Sequence, residues 1–180
     1  NGKRLIREFD IEELLFRKQL EVVDNDVVDF YKNKRVLITG GGGSIGSELC
    51  RQIASHNPKQ LIILDIYENN AYDIQQELRR KYPELSLEVL IASVRNTKRI
   101  DTIFETYRPN VVYHAAAHKH VPLMEEHPCE AVHTNIGGTQ IVAETAIRYN
   151  VDKFIMISTD KAVRPSNVMG ATKRLAEIYT

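Results

Sequence analysis

A threonine, an aspartate and a lysine stand side by side at Thr159, Asp160 and Lys161, within the stretch STDKAVRPSNVMGATK. A carboxyl group beside an amine can give a proton to one atom of a substrate and take a proton from a neighbouring atom. These residues therefore predict acid–base catalysis. The alternative is a polar turn in which Asp160 caps the element that follows.

Lys173 ends the same stretch, and Met169 lies four residues before it. On a helix this spacing places both side chains on one face. A thioether has no proton to give. We therefore expect Lys173 to contact a ligand while Met169 only packs.

A glycine-rich stretch, VLITGGGGSIGSEL, places Gly40, Gly43 and Gly46 between an apolar strand and a helix. Such a loop turns tightly and aims free N–H groups and the positive end of the helix dipole at a pyrophosphate. The pattern predicts a dinucleotide site that includes Ser44 and Ile45. The alternative, a turn whose glycines serve packing alone, explains Gly46 better than the run of four glycines.

Asp65 ends the next apolar run, LIILD, nineteen positions after Gly46. An acidic side chain at this place can accept hydrogen bonds from both ribose hydroxyls of a bound adenosine. No arginine follows in IYENN to compensate a 2′-phosphate, so the pattern favours NAD over NADP. The alternative is that Asp65 caps the next helix.

Short β-branched runs alternate with longer amphipathic ones from about residue 34, which is typical of a parallel sheet with crossover helices. The predicted fold class is α/β, a doubly wound parallel sheet forming a Rossmann-type NAD-binding domain over 31–180, with its C-terminal substrate lobe missing. The predicted strands are RVLIT, QLIILD, LEVLIA, VVYHAA and KFIMIS, and the predicted helices span 44–56, 68–82, 97–107, 129–150 and 169–180. Residues 1–30 stand apart as an N-terminal arm, with a short helix in DIEELLFRKQL.

Composition excludes several classes of partner. Basic and acidic residues both number 24, and no charged arm is present, so we expect no nucleic acid partner. Cys50 and Cys129 form no C-x-x-C pair, which argues against a thiolate zinc site and fits a reducing compartment. We also expect no metal at the crowded histidines, because catalytic zinc needs three well-placed ligands and an open position. These histidines are His114, His118, His120, His127 and His133.

No apolar run approaches the roughly 20 residues that a membrane helix needs. We therefore expect a cytoplasmic location, with the cytoplasmic part of a membrane-anchored protein as the alternative.

Several motifs together resemble the extended short-chain dehydrogenase/reductase superfamily: the T-G-x-x-G-x-x-G spacing, Asp65, NIGGT at 135–139 and M-x-x-x-K. More closely, AAAHKHVPLMEEHP and STDKAVRPSNVMGATKR resemble the UDP-N-acetylglucosamine 4,6-dehydratases of the CapD-like polysaccharide-biosynthesis family. The resemblance implies an NAD-dependent lyase that takes a hydride from sugar C4, eliminates water across C5 and C6, and returns the hydride to C6. The substrate implied is UDP-N-acetylglucosamine or a similar UDP-sugar, and we expect a homo-oligomer.

The resemblance also implies roles for single residues. Asp160 protonates the leaving O6 hydroxyl, Lys161 takes the C5 proton, and Thr159 hydrogen-bonds the C4 oxygen. A lysine can act as a base where burial lowers its pKa, so this assignment expects a desolvated Lys161. Lys173 holds the nicotinamide ribose. Further cofactor contacts are implied at Ala115, Ala116, Asn135 and Ser158, and substrate contacts at Lys119 and His120.

Two positions depart from the family pattern. Met169 stands where many relatives carry a tyrosine, and methionine there marks the membrane-associated, configuration-retaining branch. The group that removes the C4 hydroxyl proton is left open between Asp160, directly or through a water, and Thr159 as a relay. Ser93 stands where relatives often carry an aspartate, and it could donate to the adenine ring.

Other functions stay open at this point. Met169 is also compatible with an inactive protein. A 4-epimerase predicts a tyrosine at position 169 and has no use for the Asp160–Lys161 pair. A non-catalytic nucleotide-binding module would bind NAD and release no keto-sugar.

Overall fold

The structure, a computed structural model, describes residues 30–180. The predicted N-terminal arm and its helix in DIEELLFRKQL lie outside the described residues.

Five parallel strands form one sheet in the order β3-β2-β1-β4-β5. β1 lies in the centre and pairs with β2 on one side and β4 on the other, so the strand order reverses between β1 and β4. The predicted doubly wound α/β fold is confirmed. The strands are β1 Arg35–Thr39, β2 Gln60–Asp65, β3 Leu87–Ile91, β4 Val111–His114 and β5 Lys153–Met156.

Helices cover both faces of this sheet because successive strand residues point to opposite sides. On β1, Val36 and Ile38 pack with Cys50 and Ile53 in one core cluster. Leu37 belongs to the other cluster, which the helices after β3 and after β4 complete. The main helices are α1 Ser44–Ser55, α2 Glu68–Lys81, α3 Thr97–Tyr107, α4 Val121–Glu126, α5 Pro128–Ala131, α6 Thr139–Arg148 and α7 Val168–Tyr179.

The region predicted as one helix over 129–150 is divided. A π-helical turn, Val132–Gly138, joins α5 to α6. α4 was not predicted, and it is separated from α5 at His127, whose backbone is non-helical (φ −127°, ψ 60°). The cause is Pro128, since a proline disfavours helical backbone at the residue before it.

Three strands end earlier than predicted, at Ile91, His114 and Met156. The residues that follow, such as Ala92, Ala115 and Ser158, leave the sheet and line a cleft at its carboxyl edge. In the part of the chain that the structure describes, none of the helices is both long and apolar enough to span a membrane.

Candidate active site

Two adjoining cavities open at the carboxyl edge of the sheet, where the strand order reverses. This is the place where doubly wound folds bind their ligands. The β2-side cavity, of about 260 Å³, reaches Asp65 and Ser93. The β5-side cavity, of about 630 Å³, reaches Thr159, Lys161 and Lys173. Both are lined by Gly40, Gly43, Asn70, Ala115, Ala117 and His118.

The glycine loop between β1 and α1 is packed too closely for side chains at three positions. A Cβ on Gly41 would stand 2.5 Å from Cγ2 of the buried Ile63. Gly40 has a φ of +70°, and a Cβ on it would stand 2.6 Å from the backbone nitrogen of Ala116. A Cβ on Gly46 would stand 2.0 Å from the carbonyl oxygen of Gly40. Packing therefore explains Gly40, Gly41 and Gly46, as the alternative interpretation of the loop required.

Packing does not explain Gly43, the last glycine before α1. Gly43 is the N-cap of α1 and has no side chain to satisfy the first helical N–H groups. The N–H groups of the first turn have no partner within the helix, and they carry the positive end of its dipole. Gly43, Ser44, Ile45 and Gly46 all line the β5-side cavity. The loop is therefore able to hold a phosphate.

Asp65 lies at the end of β2 with its carboxylate fixed by two backbone groups. One oxygen accepts from the N–H of Gly42 at 2.8 Å, and the other accepts from the N–H of Tyr67 at 2.9 Å. Tyr67 is the N-cap residue of α2, so the capping alternative is partly correct. A carboxylate can accept about four hydrogen bonds, which leaves capacity for a ligand in the β2-side cavity.

Ser93 lines the same cavity, and its hydroxyl oxygen accepts from the N–H of Arg95 at 3.2 Å. Its hydroxyl hydrogen can therefore point to a ligand. Sequence reasoning missed Arg95, which lines this cavity from the loop after β3. Its guanidinium is paired with Glu130 at 2.6 Å, so its charge is already engaged.

Sequence reasoning also missed Tyr67 and Asn70, which both line the β5-side cavity. They follow the end of β2 closely. The rule that ligands contact the loops after parallel strands could have identified them.

The loop after β4 crosses the cleft. The ammonium of Lys119 donates to the hydroxyl of Ser44 at 3.1 Å, which joins this loop to the start of α1. Lys119 and His120 both line the β5-side cavity, where a cofactor or substrate contact was predicted. The structure thus brings these two residues together with the glycine loop.

Asn135, for which a cofactor contact was predicted, lies away from both cavities. It is fully buried in the π-helical turn and lines neither cavity. Its side-chain oxygen accepts from the N–H of His118 at 2.8 Å, and its amide donates to the His118 carbonyl and to the Thr172 hydroxyl, both at 3.0 Å. Asn135 therefore ties the loop after β4 to α7, and its contact with a cofactor stays a prediction.

Thr159, Asp160 and Lys161 meet at the exit of β5. The Thr159 hydroxyl and the Lys161 ammonium both donate to the same oxygen of Asp160, at 2.9 and 3.1 Å. The hydrogen bond from Lys161, and then that from Thr159, hold the pKa of Asp160 below its usual value. Thr159 and Lys161 line the β5-side cavity, whereas Asp160 does not.

Lys161 is not the desolvated lysine that its assignment as a base expected. Its side chain is 48% exposed and that of Asp160 is 84% exposed, because a 3₁₀ turn, Asp160–Ala162, carries both towards the surface of the described residues. The buried lysine is Lys173, which is 5% exposed and donates to the Ile157 carbonyl at 2.7 Å. Burial lowers the pKa of Lys173, and the charge of Glu177 opposes this effect.

Met169 is 3% exposed and packs with Met124 and Ala131. It lies one helical turn before Lys173 and also lines the β5-side cavity. Its position agrees with the expectation that it packs beside the lysine.

His114 is a strand residue, buried between two threonines. The hydroxyl of Thr139 donates to the Asn135 carbonyl at 2.6 Å, so this hydroxyl must accept from the Nε2–H of His114 at 3.0 Å. The Nδ1 atom then accepts from Thr39 at 2.7 Å. Burial, with a smaller contribution from the charge of Lys173, lowers the pKa of His114 from 6.5 to about 3.

The buried imidazole is therefore neutral and occupied on both nitrogens. As the pH falls, His114 takes up a proton near pH 6.5 in the unfolded chain but only near pH 3 in the folded protein. The stability contributed by the neutral buried imidazole is therefore present above pH 6.5 and is lost as the pH falls towards 3. Among residues 30–180, no three His, Cys, Asp or Glu side chains are grouped so that they could hold a metal ion.

Comparison with known proteins places the chain in a family. The capsular polysaccharide biosynthesis protein CapD of Staphylococcus aureus is 49% identical over 174 residues, which are 96% of this chain and 29% of that protein. A UDP-glucose 4-epimerase of Rickettsia rickettsii is 40% identical over 151 residues, which are 82% of this chain and 42% of that protein. The chain thus spans less than half the length of either relative.

Solved structures of other proteins superpose on this fold. The X-ray structure of Pen from Bacillus thuringiensis superposes with a TM-score of 0.75 at 37% identity, covering 83% of this chain and 44% of that one. WbmG of Bordetella bronchiseptica, solved in complex with NAD, superposes with a TM-score of 0.70 at 22% identity, covering 82% of this chain and 49% of that one. At 22% identity, the likeness to WbmG concerns the fold alone.

Residues 36–180 match the family described as "Polysaccharide biosynthesis protein". The match takes in the whole sheet, the glycine loop and α7. The chain therefore belongs to the polysaccharide biosynthesis protein family.

Proposed function

We propose that this chain is the nucleotide-binding part of an NAD-dependent 4,6-dehydratase that acts on UDP-N-acetylglucosamine or a similar UDP-sugar. The observation that carries the proposal is the group of Thr159, Asp160 and Lys161 at the mouth of the cavity that also contains the glycine loop and Lys173. Thr159 and Lys161 thus line the same cleft as the nucleotide-binding elements, and Asp160 is hydrogen-bonded to both of them. The 49% identity to a capsular polysaccharide biosynthesis protein supports a substrate of this class.

The residues of the cleft fit a dinucleotide. The glycine loop offers backbone N–H groups to the pyrophosphate, and Asp65 offers a fixed carboxylate to the adenosine ribose. Lys173, held by the Ile157 carbonyl, can hold the other ribose. When bound, NAD would supply the acceptor and later the donor of the hydride.

The electrostatics of Asp160 suggest how a single carboxyl group could serve two steps. Asp160, which accepts hydrogen bonds from Lys161 and Thr159, begins as a carboxylate and can take the proton of the C4 hydroxyl. The protonated Asp160 can then donate that proton to the departing O6 hydroxyl, which leaves as water. Asp160 is thereby returned to its starting state.

Lys161 takes the C5 proton in this proposal. To act as a base, Lys161 must first release its own ammonium proton to water. The neutral amine can then act as a base, each acid or base contributing on the order of 10²–10⁴-fold. The Lys161 ammonium formed in this way can later give the same proton back to C5, which restores the neutral amine.

A 4-epimerase is the second candidate, favoured by the 40% identity to a UDP-glucose 4-epimerase. Such an enzyme oxidises and reduces C4 and does not act on C5 or C6. It has no use for the Asp160–Lys161 pair, and we expected it to carry a tyrosine where Met169 stands. For these reasons we favour the dehydratase.

The test is an incubation of the protein, as its gene encodes it, with UDP-N-acetylglucosamine, followed by NMR of the product. A dehydratase gives a C6 methyl signal and a C4 ketone. An epimerase gives the C4 epimer with its 6-hydroxyl intact. Bound NAD with unchanged sugar would indicate a non-catalytic binding module.

A further inference from the structure

One face of α7 contacts the exit of β5 at three points. A Cβ on Gly170 would stand 2.4 Å from the Lys161 carbonyl oxygen, so the backbones touch there. Lys173 donates to the carbonyl of Ile157 at 2.7 Å. Glu177 accepts a short hydrogen bond from the hydroxyl of Ser158. The spacing of three and four residues puts all three contacts on the same side of the helix.

The proposed function uses Lys173 but leaves Glu177 without a role. One carboxylate oxygen of Glu177 accepts from Ser158, and the other accepts from Arg174 at 3.0 Å. The hydrogen bond to Ser158 is the stronger fixed contact, because an exposed ion pair within one helix contributes little. Ser158 directly precedes Thr159, the first residue of the acid–base group.

We propose that Glu177 is a positioning residue, which acts through the Ser158 hydroxyl to fix the turn that carries Thr159, Asp160 and Lys161 against the cleft. This inference rests on the proposed function. Asp160 and Lys161 are exposed and bonded chiefly to each other and to Thr159. Besides the hydrogen bonds within the turn, the contacts from α7 to Ile157, Ser158 and Lys161 hold the segment that carries the group. A misplacement of about 1 Å can cost roughly 10²-fold in rate.

Two replacements of Glu177 distinguish the effect of its hydrogen bond to Ser158 from the effect of its charge. Glu177→Ala removes both and should lower kcat roughly 10²-fold, with KM for the sugar nucleotide and the Kd for NAD nearly unchanged. Glu177→Gln keeps an oxygen that can accept from Ser158 and should restore kcat to within about threefold of the unchanged protein. If the Gln variant is as slow as the Ala variant, the charge acting on Lys173 is what matters, and the proposal is wrong.

Two matched controls loosen neighbouring contacts. Arg174→Ala removes the ion pair of Glu177 but keeps the bond to Ser158. Glu144→Ala removes the 2.6 Å bond from Tyr179, which fastens the far end of α7 to α6. Both should leave kcat within about twofold, since neither touches the exit of β5.

A double variant tests whether Glu177 acts through Ser158. If it does, Ser158→Ala combined with Glu177→Ala should be no slower than the slower single variant. Independent losses that multiply would overturn the proposal.

The rate to follow is the growth of the NADH absorbance on mixing with UDP-N-acetylglucosamine, because this step precedes any choice between dehydration and epimerisation. Product NMR then judges the dehydratase separately. Hydrogen–deuterium exchange of the peptide over 157–162 gives a readout that needs no activity. Exchange there should rise in Glu177→Ala and stay unchanged in Glu177→Gln and Glu144→Ala. Equal exchange in all three would contradict the proposal, even in a protein without turnover.

Discussion

The glycine-loop end of the cleft is held by close backbone packing, whereas the acid–base side chains at the β5 end are exposed and bonded chiefly to one another. At the first, Gly40 approaches Ala116 and Gly46 approaches Gly40 so closely that no Cβ fits. Asp65 itself is fixed by two backbone N–H groups. At the second, Asp160 and Lys161 are exposed and depend on Thr159, on each other and on contacts from α7.

This difference separates what binds from what reacts. Backbone contacts between neighbouring elements tolerate few substitutions, so the nucleotide end should keep one shape in proteins with different reactions. Exposed side chains on a turn can be exchanged without disturbing the sheet. Variants at the β5 end should therefore change the reaction, and variants at the glycine end should change binding and stability.

The largest effect is expected at the β5 end. Asp160→Asn and Lys161→Ala should each lower the dehydration rate by about 10²–10⁴-fold, because each removes one acid or base. The affinity for NAD, measured by calorimetry, should change little in either variant. The melting temperature should also stay constant, because both side chains are largely exposed.

Rates within tenfold of the unchanged protein would remove the two residues from the mechanism. Glu130→Gln is a suitable control, because it breaks an ion pair with Arg95 near the other cavity and leaves the exit of β5 untouched. It should not affect the rate.

The next effect is expected at the nucleotide end. Asp65→Ala should weaken NAD binding by about 2–4 kcal/mol, the worth of two hydrogen bonds to a charged acceptor. Asp65→Asn should lose less, since its oxygen can still accept from the Gly42 N–H that fixes the loop. Calorimetric titration of both cofactors checks the preference, and tighter binding of NADP by the unchanged protein would contradict it.

Stability should reveal the backbone packing of the glycine loop. Gly46→Ala places a Cβ 2.0 Å from a backbone oxygen that cannot move freely. We expect a loss of about 1–3 kcal/mol in the free energy of unfolding, as overpacking typically costs. Gly137→Ala is the matched control, because its Cβ would meet no atom closer than 4.0 Å. Thermal denaturation that showed the same melting temperature for both variants would refute this account of the loop.

The same contrast explains what the sequence could predict. The five strands, their order of appearance, the glycine loop and Asp65 are local patterns, so reading along the chain is enough to find them. The helix predicted over 129–150 contains a π-helical turn, for which the amphipathic pattern carries no signal. Spacing could not separate the fully buried Asn135 from a residue that lines the cleft.

Long-range contacts were beyond local reasoning as well. The exposure of Lys161 and the hydrogen bond between Ser158 and Glu177 depend on how a turn and a helix meet nineteen residues apart. The pairing of Arg95 with Glu130 joins the loop after β3 to α5. Such contacts follow from packing and leave no periodic trace in the sequence.

The smallest effect is expected at Met169, which packs at the β5 end without taking part in proton transfer. Met169→Leu conserves volume among Met124 and Ala131, so it should cost less than about 1.5 kcal/mol of stability and leave the rate unchanged. Met169→Tyr adds a hydroxyl one helical turn before Lys173, where a tyrosine could act as a base. If Asp160 already removes the C4 hydroxyl proton, the tyrosine has no step to accelerate, and the appearance of NADH after mixing should not become faster. A large gain in rate for Met169→Tyr would mean that the protein lacks a base it could use, and would place the slow step at the C4 hydroxyl.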